Sequence, residues 1–291
     1  MKVKALKNKI PAKVTLAKSA GFCFGVRRAI NISLATAKLK KPIYMLGDIV
    51  HNEFVVREIE KSGIRRIKRL SDGKGKTLLI RAHGSSRSIL QKAKQLGYKV
   101  VDATCPMVKE IHKIAKGIEN SGRRVIIIGD KMHDEVRGII GQIKNKAIVI
   151  DAEEDIPFKK IRGIKKAGVI VQSTQNLENV LKIVEILKSR IPELDFHNTI
   201  CQPTRTKQNE IKNMPSKNDT MIIIGSKASA NTKRIYEISK SLNRNSYWVN
   251  SAGEIKNNWL AKAKTIGVTA GASTPRSTIQ EVIRKIRTIS P

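Results

Sequence analysis

Apolar residues in this chain fall into short runs that stop abruptly at a glycine or a polar cluster. Longer stretches follow, with apolar positions three or four apart. The runs IYML, VIII and MIII close on Gly47, Gly129 and Gly225. A second set reads LLI (78–80), VIV (169–171) and IGVTA (266–270), and each breaks at a polar tip. Short β-branched runs bounded by glycine read as buried strands feeding loops. The stretches FGVRRAINISLATAKLK after Cys23, PMVKEIHKIAKGIEN after Cys105 and QPTRTKQNEIKN after Cys201 read as helices. Pro106 stands at a favourable first-turn position. Alternating strands and helices predict an α/β fold.

The strand-to-loop text repeats. IYMLGDIVHNE (43–53), VIIIGDKMHDE (125–135) and MIIIGSKASAN (221–231) align on their glycines. Four residues after the glycine stand His51, His133 and Ser229; six after it stand Glu53, Glu135 and Asn231. A cysteine precedes each glycine by 24 residues: Cys23 before Gly47, Cys105 before Gly129, Cys201 before Gly225. One α/β unit used three times, with one thiol per unit, accounts for this spacing. Three units predict a closed pseudo-threefold arrangement and not a solenoid. The expected domains are 14–104, 105–200 and 201–291, after a basic N-terminal extension over 1–13.

Three thiols drawn from three units suit a shared metal centre better than a disulfide or a compact ribbon. Each cysteine opens an expected helix, whose N-terminal partial charge and unpaired N–H groups favour thiolate, the metal-binding form. Zinc held by three cysteines and a histidine is one option, since five histidines are present. An iron–sulfur cluster is the other. Such clusters usually take four cysteines, and this chain has three. An iron without a protein thiolate would be open to substrate, which favours a catalytic cluster over an electron carrier.

Composition narrows the field. Apolar residues make up 40% of the chain, enough for a core. No run of 18 apolar residues occurs, so no membrane span is expected. The start, MKVKALKNKIPAK, is basic but lacks the apolar stretch of a secretory signal. Scattered cysteines make no disulfide framework, and reduced thiols point to the cytoplasm. The formal net charge of +33 permits phosphate contacts. Yet lysine and arginine are spread along the chain, aromatics are 4%, and no nucleic-acid-binding motif is present, so no nucleic-acid partner is expected. Most of the charge reads as a solvated surface; the rest can steer an anionic substrate or an acidic protein.

The loop tips are rich in hydrogen-bonding groups for an anion: His51, His83, Ser229, Asn231, Ser273, and Ser173 or Thr174. That inventory suits a phosphate or diphosphate, and no nucleotide-binding glycine motif is present. Glu135, two residues from His133, is the candidate acid, because a glutamate in a closed site gains proton affinity. Glu53 holds the same repeat position and is its rival. His112 and His197 lie outside the series and read as structural or exposed.

Taken together, AGFCFGVRRAI, VHNEFVV, RAHGSS, DATCPMV, GDKMHDEVRGIIGQ, GSKASANTKR and GVTAGASTP resemble the LytB family of 4-hydroxy-3-methylbut-2-enyl diphosphate reductases, over about residues 14–290. The resemblance implies three α/β domains in a cloverleaf around a central [4Fe–4S] cluster held by Cys23, Cys105 and Cys201. It implies two-electron reductive dehydroxylation of an allylic diphosphate to isopentenyl and dimethylallyl diphosphate, the last step of the non-mevalonate route. Glu135 would donate the proton. The substrate would be held by His51, His83, His133, Ser173, Thr174, Ser229, Ala230, Asn231 and Ser273. Ferredoxin or flavodoxin would supply the electrons. Ala230 departs from the family, which has a serine there. The lost hydroxyl is expected to weaken binding, by about 1.5–3 kcal/mol unless backbone or water replaces it.

Overall fold

The computed structural model describes residues 12–39 and 42–289. The chain opens with β1 (Lys13–Leu16), α1 (Phe24–Ala37), β2 (Ile43–Leu46), α2 (Glu53–Lys61), β3 (Ile64–Ile67), β4 (Thr77–Ile80), α3 (Arg87–Gln95) and β5 (Lys99–Asp102). It continues through α4 (Pro106–Asn120), β6 (Arg124–Ile128), α5 (Asp134–Ile140), β7 (Ile148–Ile150), α6 (Phe158–Ile161), β8 (Lys166–Val171), α7 (Leu177–Lys188) and β9 (Glu193–Phe196). The last stretch holds α8 (Gln202–Asn213), β10 (Thr220–Ile224), α9 (Ala230–Leu242), β11 (Ser246–Val249), α10 (Asn257–Leu260), β12 (Thr265–Ala270) and α11 (Arg276–Ile289).

These strands form three parallel four-stranded sheets, ordered β3-β2-β4-β5, β7-β6-β8-β9 and β1-β12-β10-β11. The α/β class and the threefold reuse of one unit thus match the expectation. Residues 23–205 form one compact unit with the first two sheets. Residues 12–22 and 206–289 form the other, with the third sheet.

The expected boundary at residue 14 differs from the strand pairing. β1 pairs with β12, Lys13 opposite Thr265 through Leu16 opposite Val268. The reason lies in the repeat itself. In each sheet the edge strand beside the second central strand is the one that runs into the next cysteine: β5 leads to Cys105 and β9 to Cys201. By the same rule β1, which leads to Cys23, completes the sheet of β10 and β12. Of the expected basic extension, residues 1–11 lie outside the described residues, and Lys13 already belongs to β1.

The central strands of the second and third sheets are buried on both faces, as parallel sheets require. In the second sheet Ile126, Ile128, Val169 and Val171 pack with Val180, Ile183 and Leu187 on one side. Val125, Ile127 and Ile170 pack with Ile111, Ala115 and Ile139 on the other. The third sheet alternates likewise, with Ile222 and Ile224 on one face and Met221 and Ile223 on the other. Each fully buried isoleucine contributes roughly 1.5–3 kcal/mol. Within each sheet the strand order reverses between the two central strands, and ligands bind outside strand carboxyl ends at such points. The loops that follow β2 and β4, β6 and β8, and β10 and β12 carry every residue tip singled out in the sequence. No described helix is long and apolar enough to cross a membrane.

Candidate active site

All three cysteines lie in the unit 23–205, and all are reduced and partly buried. Cys23 caps α1, its Sγ accepting the Val26 N–H at 3.5 Å. Cys105 caps α4 ahead of Pro106 and is anchored by its own N–H to the Ala82 carbonyl at 2.9 Å. Cys201 precedes α8; its N–H bonds the Ser173 carbonyl at 3.1 Å and its Sγ lies 3.2 Å from Thr204 Oγ1. Gly25 explains how two of the thiols approach each other. A Cβ there would stand 2.5 Å from Cys105 Sγ and 4.0 Å from Cys23 Sγ, so a larger residue would collide. The position is a close-approach glycine.

Thiolate formation does not follow the simple helix-terminus expectation. Burial pushes the Cys105 and Cys201 thiols up from their usual range. First-turn N–H groups pull Cys105 back down, and Thr204 does so for Cys201, but desolvation wins. Cys23 and Glu135 add like-charge repulsion at both thiols, which places all four groups in one electrostatic neighbourhood. A bound cation would favour the thiolates, since metal binding and thiol deprotonation are coupled.

Glu135 is 2% exposed. Its Oε1 accepts the Ser173 N–H at 2.6 Å and its Oε2 accepts the Ser173 hydroxyl at 2.7 Å. Burial raises its pKa above the usual glutamate range, and the two Ser173 bonds only partly offset this. Ser173 meets the carboxyl, whereas Thr174 Oγ1 accepts from Gln172 Nε2 at 3.0 Å. Glu53, the rival, is exposed on the first turn of α2.

Three histidine rings stand together in the same unit. His51 stacks on His83 with centroids 4.1 Å apart, and His133 meets both edge-on at 5.0 and 5.6 Å. Burial lowers all three pKa values: His51 below its usual range, His83 well below it, His133 to about 4. They are neutral rings at neutral pH. His133 Nδ1 accepts the Glu135 N–H at 3.2 Å, so its proton sits on Nε2. His83 Nδ1 is buried with no hydrogen-bond partner, a state that a ligand would relieve. His51 and His83 lie with Asp134 in a group whose ligand-type atoms are within 4.8 Å of one another. Arg81 already neutralises that carboxylate at 2.6 Å. The result is a wall of ring donors backed by a cation, suited to an anion.

The unit of 12–22 and 206–289 carries the remaining tips. Ser229 caps α9, its Oγ accepting the Thr232 N–H at 3.3 Å. Asn231 is buried; its Oδ1 accepts the Ala272 N–H at 3.0 Å and its Nδ2 has no partner. Ser273 is buried in the loop after β12. Ala230 is the first residue of α9. The first N–H groups of a helix have no acceptor inside it, so the start of α9 offers backbone donors beside Ala230, which has no side-chain donor of its own. Gly225 has φ +149°, and a Cβ on it would lie 2.7 Å from Thr232 Oγ1.

A family model described as LytB protein matches residues 14–287. The chain belongs to this family. A protein of Pelobacter propionicus named 4-hydroxy-3-methylbut-2-enyl diphosphate reductase is 37% identical over 278 residues, 96% of this chain and 99% of its own. A solved structure of (E)-4-hydroxy-3-methyl-but-2-enyl diphosphate reductase, described as the terminal enzyme of the non-mevalonate pathway, shares 35% identity with a TM-score of 0.70, covering 95% of this chain and 99% of that one. The E-1-hydroxy-2-methyl-but-2-enyl-4-diphosphate reductase of Plasmodium falciparum shares 29% identity with a TM-score of 0.87, covering 94% and 88%.

Within this LytB chain, the sequence pointed to the cysteines, Glu135, the three histidines and Ser173. It missed Arg81 and Asp134, whose ion pair sits beside the rings. The RAH and HDE strings place both next to singled-out histidines, which was the available signal. It also missed Gly25, visible only as a glycine two residues after Cys23. His112, read as structural or exposed, is buried, with its pKa lowered to about 4 chiefly by burial.

Proposed function

We propose that this chain catalyses the reductive dehydroxylation of (E)-4-hydroxy-3-methylbut-2-enyl diphosphate to isopentenyl and dimethylallyl diphosphate, using a [4Fe–4S] cluster held by Cys23, Cys105 and Cys201. The observation that carries this reading is the buried Glu135 carboxyl, held on Ser173 in the same electrostatic neighbourhood as the thiols. The donor set fits the cluster: three reduced thiols, a glycine that lets two of them close, and no fourth cysteine in the sequence. When bound, such a cluster supplies electrons and an iron open to an oxygen ligand.

The overall change consumes two electrons and two protons, breaks one C–O bond and releases water. Burial disfavours the Glu135 carboxylate and so raises its hold on a proton, and Glu135 delivers that proton to the departing hydroxyl. Ser173, donating to both carboxyl oxygens, holds the acid in place and accepts its conversion to carboxylate. Reprotonation of the allylic carbons at either end gives the two products. By the family resemblance, the proposed diphosphate contacts are His51, His83, His133, Ser229, Asn231 and Ser273, with Ala230 contributing backbone only. Neutral rings are well matched to a diphosphate that must leave again, because they donate N–H without an ion pair that would hold the product.

We infer an acidic one-electron carrier such as ferredoxin or flavodoxin as donor, supported by the net charge of +33. Reduced thiols support a cytoplasmic setting. The test is anaerobic purification with assay of iron, sulfide and absorbance, then addition of the hydroxylated allylic diphosphate with and without a one-electron reductant. A band near about 400 nm, as thiolate-bound clusters show, with turnover only under reduction supports the reading. Turnover without reductant would make the chain a non-redox dehydratase, and a colourless zinc protein would move the cysteines to a structural role.

A further inference from the structure

The loop from Gly225 to Asn231 is fastened to the neighbouring strand by two side chains, one from each side. β10 ends at Ile224, and β11 runs parallel beside it, Ile224 opposite Val249. Trp248 on β11 donates its indole N–H to the Gly225 carbonyl at 2.7 Å. The loop grips back. Lys227 donates to the Trp248 carbonyl at 2.8 Å, and its Nζ lies 4.2 Å from the indole centroid. Tyr236 of α9 packs against the same ring, centroids 5.4 Å apart. The loop's start is therefore held by the indole N–H, its middle by Lys227, and its end by the Ser229 cap. At Gly225 the positive φ is one that only glycine adopts readily, and it sets the direction of the carbonyl the indole takes.

We propose that Trp248 is a positioning residue for diphosphate binding, fixing the Gly225 carbonyl so that the Ser229 hydroxyl, the Asn231 amide and the first N–H groups of α9 are presented in one orientation. This rests on the reading of the loop as a diphosphate contact. Ala230 brings no side-chain donor to the loop. With fewer contacts, binding depends more on each remaining donor being held in place before the ligand arrives.

Trp248→Phe is the discriminating variant. It keeps an aromatic ring for Lys227 and Tyr236 while deleting the N–H donor, and the Tm measured beside it reads the effect of the smaller ring. Lys227→Gln removes the loop's grip on the strand from the other side, and Asn231→Ala removes a proposed contact. The measurement is calorimetric titration of inorganic diphosphate into each full-chain, iron-loaded protein, with KM, kcat and Tm beside it. One lost neutral hydrogen bond corresponds to about a two- to tenfold change. Trp248→Phe should raise the diphosphate Kd and the substrate KM by that factor, with kcat within about twofold of wild type. Lys227→Gln should raise both constants by a smaller factor.

If Asn231→Ala weakens diphosphate while neither Trp248→Phe nor Lys227→Gln changes Kd or KM, the clamp is overturned and the site reading stands. A Trp248→Phe protein with a lower Tm and an unchanged KM overturns the clamp too, since its role is then structural. If Asn231→Ala leaves diphosphate binding untouched, the loop is not the site and both ideas fall.

Discussion

The loops 47–53 and 129–135 are copies of one motif, yet they place their glutamates in opposite environments. In the first, Asn52 caps α2, its Oδ1 accepting the Phe54 and Val55 N–H groups at 3.1 Å each, and Glu53 becomes the first helical residue, facing solvent. In the second, His133 caps α5, Asp134 is the first helical residue and Glu135 the second. That one-residue shift of the cap turns Glu135 inward onto Ser173. The neighbouring loops differ as well. The one after β8 offers Ser173, whereas the one after β4 offers His83, a ring that stacks on His51. Equivalent sequence positions thus become a surface carboxylate and a buried acid, and the register of a helix cap decides which.

Removing the carboxyls should separate the two loops most sharply. Glu135→Gln is expected to lower kcat by about 10²- to 10⁴-fold, the usual contribution of a positioned acid. Glu53→Gln should stay within about twofold, as steady-state rates under reductant would reveal. Ser173→Ala comes next. It removes one of the two bonds that favour the Glu135 carboxylate, so the carboxyl pKa rises further and the alkaline limb of kcat moves to higher pH. The rate itself should fall by about tenfold.

Acid stability sharpens the contrast by a different readout. His133 is neutral in the folded chain down to about pH 4, whereas an unfolded histidine takes its proton near 6.5. Between those values the unfolded state binds more protons, so stability falls as pH drops from 6.5 towards 4. Denaturant melts of His133→Asn, which preserves a capping side chain, should show a shallower loss over that window. The smallest effect is expected at the other cap. Asn52→Ala should cost about 1 kcal/mol of stability, seen as a lower denaturant midpoint, with kcat little changed.

Much of this was legible in the sequence because strands, glycine stops and cysteine spacing are local patterns that recur. The α/β class, the three sheets and the grouping of the histidines follow from them. The pairing of β1 with β12 was not legible, because a strand of four residues has no local mark of its partner. The fate of Glu53 was open for a related reason: cap register depends on which side chain turns back to the first N–H groups. The upward push of burial on Cys105 and Cys201 was not legible, because helix-terminus donors are local whereas desolvation is set by everything packed around the site. Ser173's grip on Glu135 joins residues 38 apart in sequence and needed the fold.

On the proposed mechanism Glu135 holds a proton where an ordinary glutamate, with a pKa of about 4.3, has lost it. Infrared difference spectroscopy of the anaerobic protein, wild type minus Glu135→Gln, reads that proton directly through the carboxylic acid carbonyl band. At about pH 6 the account predicts a protonated carboxyl band present in wild type and absent from the variant. A fully ionised Glu135 at that pH would contradict it, and the proton for the departing hydroxyl would have to come from elsewhere.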